Sequence, residues 1–367
     1  MPPTPIPPSE AVALHGMTSD EALACARSRL ARGAGKARAV YRRVVREGRF
    51  EPEALGLGAA AAEGWRRAFA FELPEVVRVV QEDGPEGPTR KAVLRTDDGL
   101  EHECVSIPMG RDRFTLCVSS QVGCKMGCRF CETGRMGLLR HLSAAEMVGQ
   151  VLLARHRLGW PVRNVVFMGM GEALDNFDGL RQALQVLTDP GGMAMAQERI
   201  TVCTVGHVDG IRRLAELGLK RLNLSVSLNS ARDEVRRELM PIGRRYPLAE
   251  LQVALRLYRP RRNFALGVNY CLMPGINDTR EDAARIADFC RPLARVLVNL
   301  IPYNPGTAPL TRAPEEHEVE RFVAWLRAEG LPVRRRITKG RAVMAACGQL
   351  GNAGLRNGAR RRLGSQA

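Results

Sequence analysis

No stretch of this sequence is apolar for long enough to cross a membrane. Its first residues, MPPTPIPPSE, lack the apolar run of a secretory signal. These two absences set aside a membrane protein and make a secreted one an unexpected reading, so the expected compartment is the cytoplasm. Lysine is scarce as well: only five of the 55 basic residues are lysines. Arginine and alanine enrichment of this kind also follows from GC-rich coding, so single arginines carry little weight and only clusters of them do. No internal repeat stands out.

Length and composition point to one large core plus a small accessory domain, with 367 residues of which 45% are hydrophobic. The formal net charge of +16 is that of a nucleic-acid binder. The charge is gathered in places. Nine basic residues stand between Arg27 and Arg49 against one acidic residue, Glu47, and the chain closes on Arg360-Arg361-Arg362. Either cluster could be a solvated face; RNA contact is the reading the overall charge favours. Ten cysteines in a chain without a secretion signal read as reduced and partly metal-bound, not as a disulfide framework. Cys25, Cys104, Cys203, Cys271 and Cys290 fall in helical or strand-like runs and read as small buried hydrophobes.

The proline-rich residues 1–15 are expected to be disordered. A helical pattern runs from Thr18 to about Val80, with Ser19-Asp20-Glu21 as a helix start and Tyr41, Val44 and Val45 at helical spacing. This makes residues 16–82 a helical accessory domain, with a boundary at Asp83-Gly84-Pro85-Glu86-Gly87-Pro88. Residues 83–112 are expected to be a linker and a β-hairpin, Lys91–Arg95 and Glu103–Ile107, turning at Asp98-Gly99. From Phe114 strand-like runs at 114–119, 164–168, 199–205, 221–228, 265–272 and 296–301 alternate with helical ones, and Ser143-Ala144-Ala145-Glu146 is a capping box. Such alternation predicts an α/β fold with parallel β/α units, an open partial barrel over residues 113–350, followed by a basic tail at 351–367. Ligands of such sheets lie at the carboxyl ends of the strands.

The chemistry is concentrated in Cys117–Glu132, CVSSQVGCKMGCRFCE. Cys124, Cys128 and Cys131 form a C-x3-C-x2-C set on a glycine-punctuated loop. Three soft thiolates on one loop suit an iron–sulfur cluster and leave one iron of a cubane open. A zinc site that borrows Cys117 is the alternative for the cysteines alone.

With Phe130 before the last cysteine, the spacing resembles the signature of the radical S-adenosylmethionine (SAM) superfamily. Cys117 to Cys124, Met168-Gly169-Met170-Gly171-Glu172, Asn299-Leu300-Ile301-Pro302 and Ala345-Ala346-Cys347-Gly348-Gln349-Leu350 together resemble the RlmN/Cfr family of RNA adenosine methyltransferases, over most of the chain. The resemblance implies a 4Fe–4S cluster on Cys124, Cys128 and Cys131, with SAM on the open iron. It implies SAM contacts at Gly171, Glu172, Cys203, Ser227, Leu228, Asn229 and Asn299. It also implies a carrier scheme: Cys347 takes a methyl group from one SAM, and a radical drawn from a second SAM activates that methyl. An adenine ring carbon (carbon 2 is favoured) receives it, and a base removes the ring proton. Cys117 then attacks the Cys347 sulfur to release product, leaving a transient disulfide. Glu103 is the candidate base, with Glu101 the fallback.

The implied substrate is RNA, ribosomal or transfer, with an external electron donor; no DNA and no membrane partner is expected. Ala173, Cys203, Asn229 and Glu132 depart from the residues usual in that family. Two other readings stay open: a radical SAM enzyme for another substrate, and an RNA-binding protein whose cysteines hold a structural metal.

Overall fold

The computed structural model describes residues 11–110, 113–258 and 261–351. The expected disorder at residues 1–10 and the basic tail from residue 352 lie outside the described residues.

One ten-stranded sheet organises the chain. Seven strands run parallel: Phe114–Val118, Val162–Phe167, Ile200–Thr204, Asn223–Ser227, Leu266–Leu272, Val296–Pro302 and Val333–Arg335. They lie in that order, so each helical crossover returns the chain one strand further along. The first six are the predicted ones. The short Val333–Arg335 strand was not predicted; its three residues are arginine-rich and half exposed, and carry no apolar period. Alternate residues on successive strands, from Thr115 and Cys117 through Asn164 and Val166 to Asn269 and Asn299, line one common cavity. The sheet therefore curls around a lumen, and two free edges keep it from closing.

The antiparallel strands Glu101–Pro108, Thr89–Arg95 and Glu75–Glu82 extend the sheet on the Phe114 side. The hairpin turns where expected: Asp98 Oδ1 accepts from the Leu100 N–H at 3.2 Å, and Gly99 takes φ +76°. Glu75–Glu82, EVVRVVQE, corrects the expectation of helix up to Val80. Its β-branched valines favour a pleated surface, and the adjacent strand offers a ladder. Residues 83–88 are in consequence the turn between two paired strands of the same sheet.

The N-terminal segment is helical, with helices Ser19–Arg29, Ala37–Glu47 and Ala59–Ala68. The first is capped by Thr18 and Glu21, and the second buries Tyr41, Val44 and Val45 as their spacing predicts. Residues 11–16 correct the expected disorder up to 15: Val12–Ala13 pairs with Phe69–Ala70, and Leu14 and His15 are buried. Polar links fix the helices to the core, such as Arg46 Nε donating to the Gly192 carbonyl at 2.7 Å. Arg27, Arg32, Lys36, Arg42 and Arg49 remain exposed on this segment. Ser143 and Glu146 form the predicted capping box at the start of helix Ala144–His156. Among the described residues no helix is long and apolar enough to cross a membrane.

Candidate active site

The CVSSQVGC block leaves the Phe114–Val118 strand, makes the short strand Gln121–Cys124, and then enters the cysteine loop. Cys124 and Cys128 are buried and Cys131 half-buried. Burial pushes the Cys124 thiol up to about 12 and raises Cys128 and Cys131 as well. As free thiols the three would be inert; a bound metal would deprotonate them outright. They sense one another's charge, which places the three thiols close together on the loop. The soft donor set fits iron–sulfur, and a 4Fe–4S cluster bound there would supply a low-potential electron.

Beside the loop lies a cavity of about 150 Å³ at the carboxyl ends of the parallel strands, lined among others by Cys131, Gly171, Glu172, Ser227, Asn229 and Cys347. Gly171 takes φ +99°, and a Cβ there would stand 2.5 Å from the Gln121 Cβ, so the bend requires glycine. The Glu172 carboxylate, 2% exposed, accepts from the N–H groups of Val205 at 2.8 Å and Leu174 at 3.2 Å. Burial outweighs these hydrogen bonds and raises it to about 7. A buried carboxylate of this kind, facing a cavity, is suited to an ammonium group.

Asn229 sits at φ +57°, in the left-handed region that asparagine tolerates. Its Oδ1 accepts from the Cys271 N–H at 2.9 Å and its Nδ2 lies 3.3 Å from the Met240 sulfur. Asn299 Nδ2 donates to Asn269 Oδ1 at 3.0 Å, in the larger lumen of about 430 Å³. Leu228 differs from expectation: its side chain is fully buried in the hydrophobic core and lines neither cavity, because strand alternation turns it away from Ser227 and Asn229. Cys203 and Cys271 correct the reading as plain core residues, since both line the small cavity. Cys104 and Cys290 are buried as expected, and Cys25 is half-buried.

The carrier candidates meet at the lumen. Cys117, on its strand, and Cys347, on the segment after the last strand, both line it together with Cys131 and Cys203. Gly348 ties that segment to the cysteine loop, its carbonyl accepting from the Glu132 N–H at 2.8 Å. Cys347 is exposed and lines both cavities. Desolvation by its surroundings raises its thiol while the Arg336 guanidinium pulls it down. Burial and the neighbouring thiols Cys347 and Cys203 push Cys117 well above the ordinary thiol range.

Glu103 is not the solvated hairpin residue that its position suggests. Its side chain is buried, 3.1 Å from Lys91 Nζ, and accepts from the Gly351 N–H at 2.8 Å. Glu101 instead pairs with Arg95 at 3.0 Å near the hairpin end. Glu132, in place of the usual small residue, holds the Thr307 N–H at 2.6 Å, and Ala173 is simply buried.

Sequence reasoning missed Gln121, Lys91 and Arg236. Gln121 Oε1 accepts from the Glu172 N–H at 2.8 Å, and its Nε2 donates to Asp175 Oδ2 at 2.9 Å. Its place inside the CVSSQVGC block was an available signal. The one available signal for Lys91 was that it is one of only five lysines.

A cysteine loop and a glycine–glutamate bend at the carboxyl ends of a curled parallel sheet define a radical SAM enzyme, and residues 118–290 match the Radical SAM superfamily model. A radical SAM methyltransferase of known structure, from Sphaerobacter thermophilus, superposes with a TM-score of 0.85 at 36% identity, covering 92% of this chain and 99% of that one. A relative named probable dual-specificity RNA methyltransferase RlmN 1, from Protochlamydia amoebophila, is 45% identical over 74% of this chain and 75% of its own. The dual-specificity RNA methyltransferase RlmN of Rhodospirillum rubrum is 44% identical over 79% and 70% respectively. The chain belongs to the RlmN family of radical SAM RNA methyltransferases, which use a 4Fe–4S cluster and SAM.

Proposed function

We propose that this protein methylates a ring carbon of an adenosine in RNA, carbon 2 of a large-subunit ribosomal adenosine being favoured and transfer RNA a second substrate, in the cytoplasm and with an external electron donor. The observation that carries this reading is the shared lumen of Cys117, Cys347 and Cys131. An electron-poor amidine carbon does not accept a methyl cation directly, so a protein-bound carrier is needed.

In this reading Cys124, Cys128 and Cys131 would hold the cluster, which would supply the electron for radical chemistry on SAM. Gly171 and Glu172 seat the amino end of SAM, with Ser227, Asn229, Asn299 and Cys203 beside the remainder. Leu228 is left out, its side chain being in the core and its N–H donating to the Asn269 carbonyl at 3.0 Å. The Cys347 thiolate takes the methyl from one SAM by displacement, and Arg336 favours that thiolate. After the Cys347-bound methyl has lost one hydrogen atom to the radical derived from the second SAM and its carbon has bonded to the ring, Glu103 accepts the ring proton. Cys117 then attacks the Cys347 sulfur: the sulfur–carbon bond breaks as the S–S bond forms, the freed carbon takes up a proton, the odd electron on the ring would return to the bound cluster, and a two-electron thiol reductant restores both cysteines. Lys91 counters the charge of Glu103 and its Nζ donates to the Met344 carbonyl at 3.0 Å, three residues before Cys347.

Mass spectrometry of RNA nucleosides after incubation with the cluster-loaded protein, SAM and a reductant tests the proposal. A methylated adenosine is the expected product; SAM cleavage without any RNA methylation would overturn it.

A further inference from the structure

Arg236 has no place in the scheme above, yet it is 0% exposed. Guanidinium groups are almost never fully buried unless paired. Its Nη2 donates to the Val205 carbonyl at 2.6 Å, whereas Nε and Nη1 are buried with no partner among the described residues. Asp233, three residues back on the same Asp233–Leu239 helix, acts on Arg236 through its charge but makes no hydrogen bond to it, its Oδ1 accepting from the Leu248 N–H at 3.0 Å. A cation in this state is unfavourable in the fold as it stands, and its unpaired N–H groups point to an anion that the polypeptide does not supply.

The surroundings say which anion. The helix ends against the cysteine loop, where the Arg129 N–H donates to the Leu239 carbonyl at 3.0 Å. A Cβ on Gly127 of that loop would lie 3.6 Å from Pro241. Room for the guanidinium is left by glycines: a Cβ on Gly206 would stand 2.8 Å from Nη2, and one on Gly243 3.1 Å from Nη1. Val205, whose carbonyl Arg236 holds, and Met240, just past the helix, line the same cavity as Cys128 and Cys131. Arg236 and Cys128 also interact electrostatically, each favouring the charged form of the other.

We propose that Arg236 is the cationic partner of the cluster, its Nε–H and Nη1–H donating to sulfur at the Cys128 corner. The proposal rests on the reading of Cys124, Cys128 and Cys131 as cluster ligands. Arginine suits the position because its planar fork donates two bonds at once and is weakly hydrated. A fixed positive charge in a water-poor site stabilises the more negative, reduced cluster and so raises its potential. Arg236 is thus a tuning and positioning residue, not one that touches the reacting atoms.

The test compares the wild type with Arg236→Gln and Arg236→Lys, each loaded anaerobically with iron and sulfide. The readouts are iron content, midpoint potential and pulsed EPR of the reduced cluster, in protein carrying arginine labelled with nitrogen-15 at the guanidinium only. The wild type is expected to show a nitrogen-15 coupling that both variants lose, with the potential of Arg236→Gln shifted to more negative values and that of Arg236→Lys between the two. Should Arg236→Gln fail to fold, the coupling in the wild type and its loss in Arg236→Lys decide. No coupling in the wild type, a coupling that persists in Arg236→Lys, or an unshifted potential in a loaded Arg236→Gln overturns the proposal. A wild type that assembles no four-iron cluster, or a full cluster in a Cys128→Ala variant, overturns the ligand reading and the proposal with it.

Discussion

Lys91 Nζ lies 3.1 Å from the Glu103 carboxylate, the two side chains are 5% and 4% exposed, and the pair brackets the segment that carries Cys347. Lys91 binds the Met344 carbonyl and Glu103 the Gly351 N–H, so two strands of the hairpin extension hold both ends of that segment. Glu103→Gln keeps an acceptor for Gly351 but loses basicity, so RNA methylation should fall by about 10²–10⁴-fold, with methylation of Cys347 retained. Lys91→Met leaves a carboxylate buried without its partner and should cost about 3–5 kcal/mol of stability. Thermal melts and nucleoside analysis check both; full RNA methylation by Glu103→Gln would remove it as the base.

Gly171→Ala is expected to weaken SAM binding by distorting the bend, because the new methyl would meet Gln121 at 2.5 Å in a φ +99° conformation. The backbone penalty alone is about 1–2 kcal/mol. Iron content should stay at the wild-type level. Equilibrium dialysis with labelled SAM measures the effect, and unchanged affinity would show that the bend does not contact the ligand.

The parallel core was legible in the sequence because its strands are apolar runs separated by helical periods, and that alternation survives without any knowledge of packing. Cys124, Cys128 and Cys131 were legible from spacing. Glu75–Glu82 was not, because the valine pairs 76–77 and 79–80 of this exposed edge strand recur three residues apart and mimic a short helical repeat. Leu228 lay inside a correctly placed strand end, but only the pleat shows that it faces the core. Lys91 and Arg236 were hidden for another reason: each acquires meaning from a partner far away in sequence, Met344 in one case and the Val205 carbonyl in the other.

SAM binding should depend on pH through Glu172. Its carboxyl, raised to about 7 by burial, must be ionised to hold an ammonium group, so affinity should increase about 10-fold from pH 6 to pH 8. Stability of the ligand-free protein moves the other way. A carboxyl raised in the folded state contributes most below its unfolded value near 4.5, and this contribution is lost as pH rises through about 7. Glu172→Gln should flatten both profiles; a slope that persists in that variant would assign it to another group.

RNA binding should weaken with salt through the exposed Arg27, Arg32, Lys36, Arg42 and Arg49. Replacing one of these side chains by glutamine leaves one phosphate without its cation, which should reduce the slope of log affinity against log salt by about 0.7–0.9. Substitution is the right tool, since a deletion through residue 80 would remove most of the Glu75–Glu82 edge strand. An unaltered slope in the quintuple variant would mean that these side chains form a solvated face.

Cys117 and Cys347 share the lumen but should differ in what their loss does. Cys347→Ala has no sulfur to carry the methyl, so RNA should be neither methylated nor attached to protein. Cys117 acts only after the ring carbon has bonded to the carrier. Cys117→Ala should still load Cys347, still consume SAM reductively, and stall with RNA covalently bound. That adduct should survive denaturation, vanish on digestion of either partner, and place its mass on the peptide containing Cys347. Thiols with a purely structural role predict two similarly destabilised proteins and no adduct from either. Denaturing gels with labelled RNA separate the cases: a shifted band in the Cys117→Ala lane alone supports the carrier scheme, and matching lanes sink it.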